Sequence, residues 1–247
     1  MTLNSSVSSS SRKGVSVDNL LNFPATTIVD SVVPKTKFYR FMEVNPRMKS
    51  HFVNDVESIR WLYKLSPDTL NVTATEDMKE IEVFVATLKD GDCPTDLFTF
   101  IDTNMPRHLV FILLHNDNCM LLINYKQWKD DTHTQFKMTQ MFASPWVSTT
   151  SLQLQIDGQS LPRIYDNFVA QISGIGEHRA GSMEEIVALR QHIAKQQDEL
   201  QKLEKRMRRE PQVDIQMQMH KQVRQMRMQL AELKNQLSKL GNKYYLE

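Results

Sequence analysis

Glycine is scarce in this chain, 7 residues among 247, and no glycine-rich phosphate loop stands anywhere in it. Cysteine is scarcer: Cys93 and Cys119 lie far apart and neither belongs to a Cys-x-x-Cys pair. Two such residues exclude a multi-bridge scaffold, and with no secretory signal the expected compartment is a reducing cytoplasm. No apolar run approaches the roughly 20 residues of a membrane span. The longest, Leu109 to Leu114, is strand-sized, so no membrane partner is expected. Charge of one sign is also lacking: 30 Lys and Arg against 29 Asp and Glu leave a net +1, which argues against bulk attraction to nucleic acid or lipid but leaves room for a local basic face. The histidines do not gather either. His108 and His115 stand at the two ends of one expected strand, and the others are scattered, so no metal site and no cofactor are implied.

What remains is an ordinary apolar fraction of 40%, enough for one sizeable domain with an appendage. The Ser-rich stretch 1–16 has too little apolar content to fold and reads as a disordered tail. Pro34 and Asn45-Pro46 each signal a helix start, leading to Phe38 and Phe41 and to Met48 and Phe52. Val56 to Leu65 and Lys79 to Lys89 alternate with a period of two and read as strands, with Ser66 to Met78 as a polar surface loop between them. Thr95, a candidate N-cap, opens a helix to Asn104 with Leu97, Phe98 and Ile101 on one face. Leu109 to Leu114 and Met120 to Tyr125, joined by His115-Asn116-Asp117-Asn118, form a hairpin of central strands. Phe136 to Phe142 and the alternating Leu152 to Ile156 are further strands, and 160–173 is a helix. The order predicts an α+β domain over 17–173: a mixed, mainly antiparallel sheet with flanking helices, covered on one face.

After a hinge at 174–182 the pattern changes. Leu189, Ile193, Leu200 and Leu203, then Val223, Met226, Leu230, Leu233 and Leu237, recur at the three- and four-residue spacings of a helix seeking another helix. Pro211 interrupts them, so 183–241 reads as an antiparallel coiled-coil hairpin followed by a tail at 242–247. The same seam could serve self-association, and the outer faces around the tip are modestly basic.

Several runs together resemble a known family. They are Val33-Pro34-Lys35-Thr36-Lys37-Phe38-Tyr39, Ile59-Arg60-Trp61, Lys64-Leu65-Ser66-Pro67-Asp68-Thr69-Leu70-Asn71, Glu80-Ile81-Glu82-Val83-Phe84 and, further on, Met105-Pro106, Tyr125-Lys126 and Ser144-Pro145-Trp146. Their order and spacing resemble the bacterial domain-of-unknown-function family 4391 over roughly Leu20 to Leu240. The resemblance implies a gene neighbourhood of helicases and DNA methyltransferases in antiviral defence or restriction-modification-like clusters. It therefore implies a protein partner from such a system, and it assigns no residue a role.

Two kinds of chemistry compete for the residues. A metal-dependent nuclease of the restriction type needs converging carboxylates and an acid-x-Lys pair on one strand. Glu57, Glu80 and Glu82 are the candidate acids and Lys89 the candidate lysine, but Lys89 lies seven positions beyond Glu82, roughly 23 Å along an extended strand. A nucleic-acid face would instead draw on Lys35, Lys37, Arg60, Lys64, Arg107 and Lys126 to hold phosphates. Missing catalytic spacing and a strong helical seam favour a non-enzymatic accessory protein, with degenerate nuclease as the alternative. The association seam carries its expected protein contact.

Overall fold

The computed structural model describes residues 20–92, 94–130, 132, 136–175 and 182–241. The tails expected at 1–16 and 242–247, and most of the hinge expected at 174–182, lie outside them.

The chain is α+β. Strand β1 (Ile28–Val32) is followed by α1 (Lys35–Phe41), α2 (Pro46–Asn54), β2 (Val56–Leu65), α3 (Pro67–Leu70) and β3 (Ile81–Leu88). Then come α4 (Thr95–Asn104), β4 (His108–His115), β5 (Asn118–Trp128), β6 (Phe136–Ala143), β7 (Val147–Ser148) and α5 (Leu161–Ser173). Two long helices end it, α6 (Met183–Met207) and α7 (Val213–Gly241). The sheet runs in the order β1-β2-β3-β4-β5-β6, with β7 also on β5. Every pairing is antiparallel except β3 with β4, and these two are joined by α4, the crossover that parallel neighbours require.

Local chemistry sets the element ends. Asn45 caps α2 by accepting a hydrogen bond from the Met48 amide at 2.9 Å, with Pro46 in the first turn. Asn116 takes φ of 53° in the β4–β5 turn, a left-handed conformation that asparagine tolerates. The stretch expected to be loop between β2 and β3 holds the single-turn helix α3, closed by a reciprocal Ser66–Thr69 cap. Pro94, rather than Thr95, occupies the cap position of α4.

The sheet is buried on both faces, not one. Val83, Val85, Val110, Ile112, Leu121 and Ile123 pack against Ile164, Phe168 and Ile172 of α5 and against Met183, Ile186 and Val187 of α6. The intervening Phe84, Phe111, Leu113 and Leu122 pack on the other side against Phe98 and Ile101 of α4, Phe52 of α2 and Phe38 of α1. Continuous apolar runs in β3 and β4 follow from that double cover. Leu152 to Ile156 keeps its alternation, with Leu152 and Leu154 buried, but it is not a strand. Its backbone finds a side chain instead of a neighbouring strand: the Gln155 amide donates to the Gln171 side-chain oxygen at 2.8 Å, and the Gln171 amide donates back to the Gln155 carbonyl at 2.9 Å.

Candidate functional sites at the Glu82 corner and on the helical hairpin

At one end of the sheet the end of β2, the starts of β3 and β4 and the end of β5 meet, with Lys64 paired to Glu82 and Ile81 to His108. Behind them the last turn of α4 delivers Asp102, fully buried. The ammonium of Lys126, also without exposed side-chain surface, donates to the Asp102 carboxylate, to the Asp102 carbonyl at 3.0 Å and to the Arg107 carbonyl. All three of its protons are thereby used. The other Asp102 oxygen accepts from the Asn124 amide at 2.7 Å. The register slip here falls on β6, where Thr139 is the extra residue opposite Tyr125 and Lys126, and the lysine points inward because it follows Leu122 and Asn124 on the α4 face of β5. Its ammonium also lies 4.0 Å from the centre of the Phe136 ring. Burial pushes the Asp102 carboxyl up and the Lys126 amine down, and each partner opposes that shift in the other.

Around this pair stand His108 and Tyr165. The Tyr165 hydroxyl donates to the Asn124 carbonyl, and burial raises its pKa well above the usual phenol range. His108 meets the rings of Trp128, Phe136 and Tyr165 edge-on. Burial, then the Lys126 charge, lowers its pKa well below the usual imidazole range, so it stays neutral.

Two recesses open in front. The first is a polar cleft of about 90 Å³ lined by Glu76, Asp77, Lys79, Glu80, Arg107, His108 and Trp128. Glu80 pairs there with Lys64 at 2.9 Å and with Arg107, and its hydrogen bond holds the Lys64 pKa above the usual value. Trp128 stacks on Phe136 at 3.7 Å and donates its indole N–H to the Asp77 carbonyl. The second recess is an apolar groove of about 430 Å³ between α1 and the end of α4. Trp61 and Phe84, stacked with centroids 6.3 Å apart, line it, as do Phe38, Phe41, Met42, Met105, Pro106 and Lys37. Glu82 lines it too, only 7% exposed. No hydrogen bond from the described residues reaches the Glu82 carboxylate, and its nearest ion partner, Arg107 Nε, is 4.0 Å away. Burial first, then the Glu80 charge, raise the Glu82 pKa to about 7, against the pull of Arg107, Lys64 and Lys126.

The expected site residues divide between the two ends of the sheet. Glu80, Glu82, Lys64, Arg107 and Lys126 gather at this corner. Glu57 and Lys89 lie at the opposite end: Val56 pairs with Leu88, and the Lys89 ammonium donates to the Val53 carbonyl at 2.6 Å. Lys35 is there as well, donating to the Val56 carbonyl, its pKa lowered by burial and then by Lys89. Glu57 is seven residues before Lys64, the partner of Glu82, and so stands about 23 Å from Glu82 along the strands. Arg60 pairs with Asp30, and Lys37 stands on the groove. The six basic residues thus form no single face: Lys64 and Arg107 serve Glu80, Lys126 is buried, Lys35 and Arg60 are held by Val56 and Asp30, and Lys37 lines the groove. Asp102, His108, Asn124 and Tyr165 were not among the expected site residues.

The hairpin is the other candidate surface. The Ser182 hydroxyl accepts from the Glu185 amide at 3.1 Å while the Glu185 carboxylate accepts from the Ser182 amide at 2.9 Å, starting α6 with a reciprocal cap. Root contacts tie it to the sheet: Gln127 donates to Glu184 at 2.8 Å, Gln191 donates to the Thr139 carbonyl, and Arg190 lies 5.4 Å from the Phe142 ring centre. The seam residues Leu189, Ile193, Leu200, Leu203, Val223, Met226, Leu230, Leu233 and Leu237 are all buried or half-buried, and α6 packs on α7. Arg227 crosses to Glu204 at 2.7 Å. From Gln191 to Met207 the arm runs about 24 Å beyond its root. At its far end Val213, Ile215 and Met217 are exposed, 67%, 37% and 58%, beside exposed Lys205, Arg206, Arg208 and Arg209.

A mixed seven-stranded sheet covered on both faces, with an appended helical hairpin, defines an α+β class. The chain belongs to the family described as Domain of unknown function (DUF4391), whose model matches residues 21–230. No curated protein and no solved structure matches the chain. Among the described residues no helix is long and apolar enough to cross a membrane.

Proposed function

We propose that the protein is a non-enzymatic interaction protein, an accessory of a bacterial DNA-targeting defence or restriction-modification-like system. Its helical hairpin is the arm that engages a helicase or DNA methyltransferase partner, with nucleic acid as the other ligand of the same basic tip. The observation that carries this reading is the tip itself. The seam is closed within the chain, yet Val213, Ile215 and Met217 remain exposed beside four basic residues. Apolar residues rimmed by positive charge are the make-up of a contact surface rather than of a solvated helix face. The alternative nuclease reading is weakened by the placement of its own residues, because Glu57 stands about 23 Å from Glu82. Carboxylates that share a metal converge within a few ångströms.

The test is affinity capture from the native host with a variant carrying Arg206→Glu, Arg208→Glu, Arg209→Glu and Met217→Ser. The wild-type chain is expected to retain a helicase or methyltransferase, and the variant to lose it while keeping its far-UV circular dichroism. Anisotropy with a DNA duplex at two salt concentrations separates the ligands, since phosphate binding falls steeply with salt. Equal capture by both proteins overturns the proposal. So does Mg²⁺-dependent DNA cleavage that disappears in Glu80→Ala or Glu82→Ala.

A further inference from the structure

The groove between α1 and α4 has no part in the hairpin reading, and its chemistry is specific. Its floor and walls are flat or flexible apolar side chains: Trp61, Phe84, Phe38, Phe41 and Met105. Phe41 is 76% exposed and adds its ring to the wall of this groove. At about 430 Å³ the space lies within the range of small-molecule pockets and admits a flat bicyclic ring. Such pockets pair an apolar lining with a few placed polar groups, and here the acidic group is Glu82.

Glu82 is the second observation. A carboxylate that is 7% exposed normally takes hydrogen bonds from its surroundings, because burial strips its water. None reaches it from the described residues, and Arg107 Nε at 4.0 Å is beyond hydrogen-bonding distance. Two acceptor oxygens without a hydrogen bond from the described residues thus belong to a side chain that lines an aromatic groove. The partner that satisfies both at once is a planar edge with two parallel N–H donors, the fork geometry that matches a carboxylate. Guanine presents such an edge on an aromatic body through its N1–H and exocyclic amine. Lys37, exposed and also lining the groove, supplies positive charge of the sign a phosphate requires.

We propose that this groove is a guanine-nucleotide site, with the base stacked on the Trp61–Phe84 floor, its donor edge on the Glu82 carboxylate and its phosphate toward Lys37. No glycine-rich loop is needed, since the base edge carries the recognition and a single lysine meets the phosphate. The base could arrive as a free nucleotide or as an unpaired guanine in single-stranded DNA, and both share this chemistry.

Binding is measured by titration calorimetry on the full chain, with quenching of Trp61 fluorescence as a second readout. GMP is expected to bind. IMP, which lacks the exocyclic donor, and AMP, whose edge pairs a donor with an acceptor, are each expected to bind at least about 10-fold more weakly, the discrimination of one bidentate pair. Glu82→Gln, which puts an amide donor against the base donors, is expected to lose GMP by about the same factor. Phe41→Ala, at an exposed position that leaves the core intact, is expected to weaken GMP and IMP alike by removing a stacking wall. A single-stranded oligonucleotide with one guanine among thymines separates the two sources: binding tighter than GMP assigns the site to DNA, and weaker binding assigns it to the free nucleotide. The inference is overturned if GMP does not bind, if AMP or IMP binds as well as GMP, or if Glu82→Gln leaves GMP affinity unchanged. None of these outcomes depends on the hairpin, whose tip variant retains the groove.

Discussion

Replacing Asp102 with asparagine isolates the charge at the centre of the corner from its shape. Lys126 has no exposed side-chain surface, and its ammonium rests on the Asp102 carboxylate and two carbonyls. Asparagine keeps the volume and an oxygen for Asn124 but leaves the ammonium without a counterion. Breaking one partner of a buried pair costs about 3 to 5 kcal/mol, because the remaining charge is stranded. Lys126→Met removes the other partner. It strands the Asp102 carboxylate, leaves two carbonyls short of a donor, and is expected to cost a similar amount. The double variant strands no charge. Its cost is expected to fall short of the sum of the singles by about 1 to 3 kcal/mol, the range of coupling between residues in one network.

The assay is urea unfolding followed by circular dichroism, read as a double-mutant cycle. A pH series adds a signature that a packing defect lacks. In Asp102→Asn, burial holds the Lys126 pKa below its unfolded value with only the weaker pull of the Glu82 charge left to oppose it. From that lowered folded value up to the ordinary 10.5 the unfolded chain then binds more protons than the folded one, so the variant gains stability as pH rises. The reasoning is refuted if the single costs add to within about 0.5 kcal/mol, or if Asp102→Asn shows the wild-type pH profile over that range.

Glu82 gives a second pH prediction with the opposite sign. Its folded pKa of about 7 exceeds the ordinary 4.5, so the folded chain holds a proton that the unfolded chain releases. That stabilisation is complete below about pH 4.5 and lost as pH rises through about 7. Glu82→Gln is expected to be more stable than wild type at about pH 8, by about 2 to 3 kcal/mol, and to lose most of that margin by about pH 5. Urea midpoints at the two pH values check it, and a margin independent of pH would contradict it. On the hairpin, Leu230 is 8% exposed on the α6–α7 seam. Leu230→Asp is expected to cost about 3 kcal/mol and to open the arm, read as lost helical circular dichroism and new protease cleavage within α7. Unchanged cleavage would show that the seam does not hold the arm closed.

The elements that repeat a period over many residues were legible from the sequence. The seam from Leu189 to Leu237 pointed to two helices, and the apolar runs of β4 and β5 marked the sheet centre, because burial on both faces leaves no polar phase. The alternation of Leu152 to Ile156 predicts a strand because periodicity reports which side chains are buried, not what the backbone bonds to. There the Gln171 side chain supplies the hydrogen bonds that a strand would. The corner was harder for a related reason. Glu80 and Glu82 share one phase of β3, and with one face of the sheet covered that phase would be solvated. Phe84 and Ala86 share it too and are buried, since α1, α2 and α4 close the second face and carry Glu82 in with them. Asp102 had a local signal of the same kind. With Phe98, Ile101 and Met105 it occupies the i, i+3, i+4, i+7 stripe of α4, so an ionisable side chain sits where the helix is otherwise apolar. Lys126 likewise follows Leu122 and Asn124 two by two along β5, at positions the apolar phase should hold. A charge at an apolar phase must meet an opposite charge or open onto a ligand. Asp102 and Lys126 meet each other; Glu82 has no such partner within hydrogen-bonding distance among the described residues, which is the physical difference between a structural pair and a candidate binding residue at the same corner.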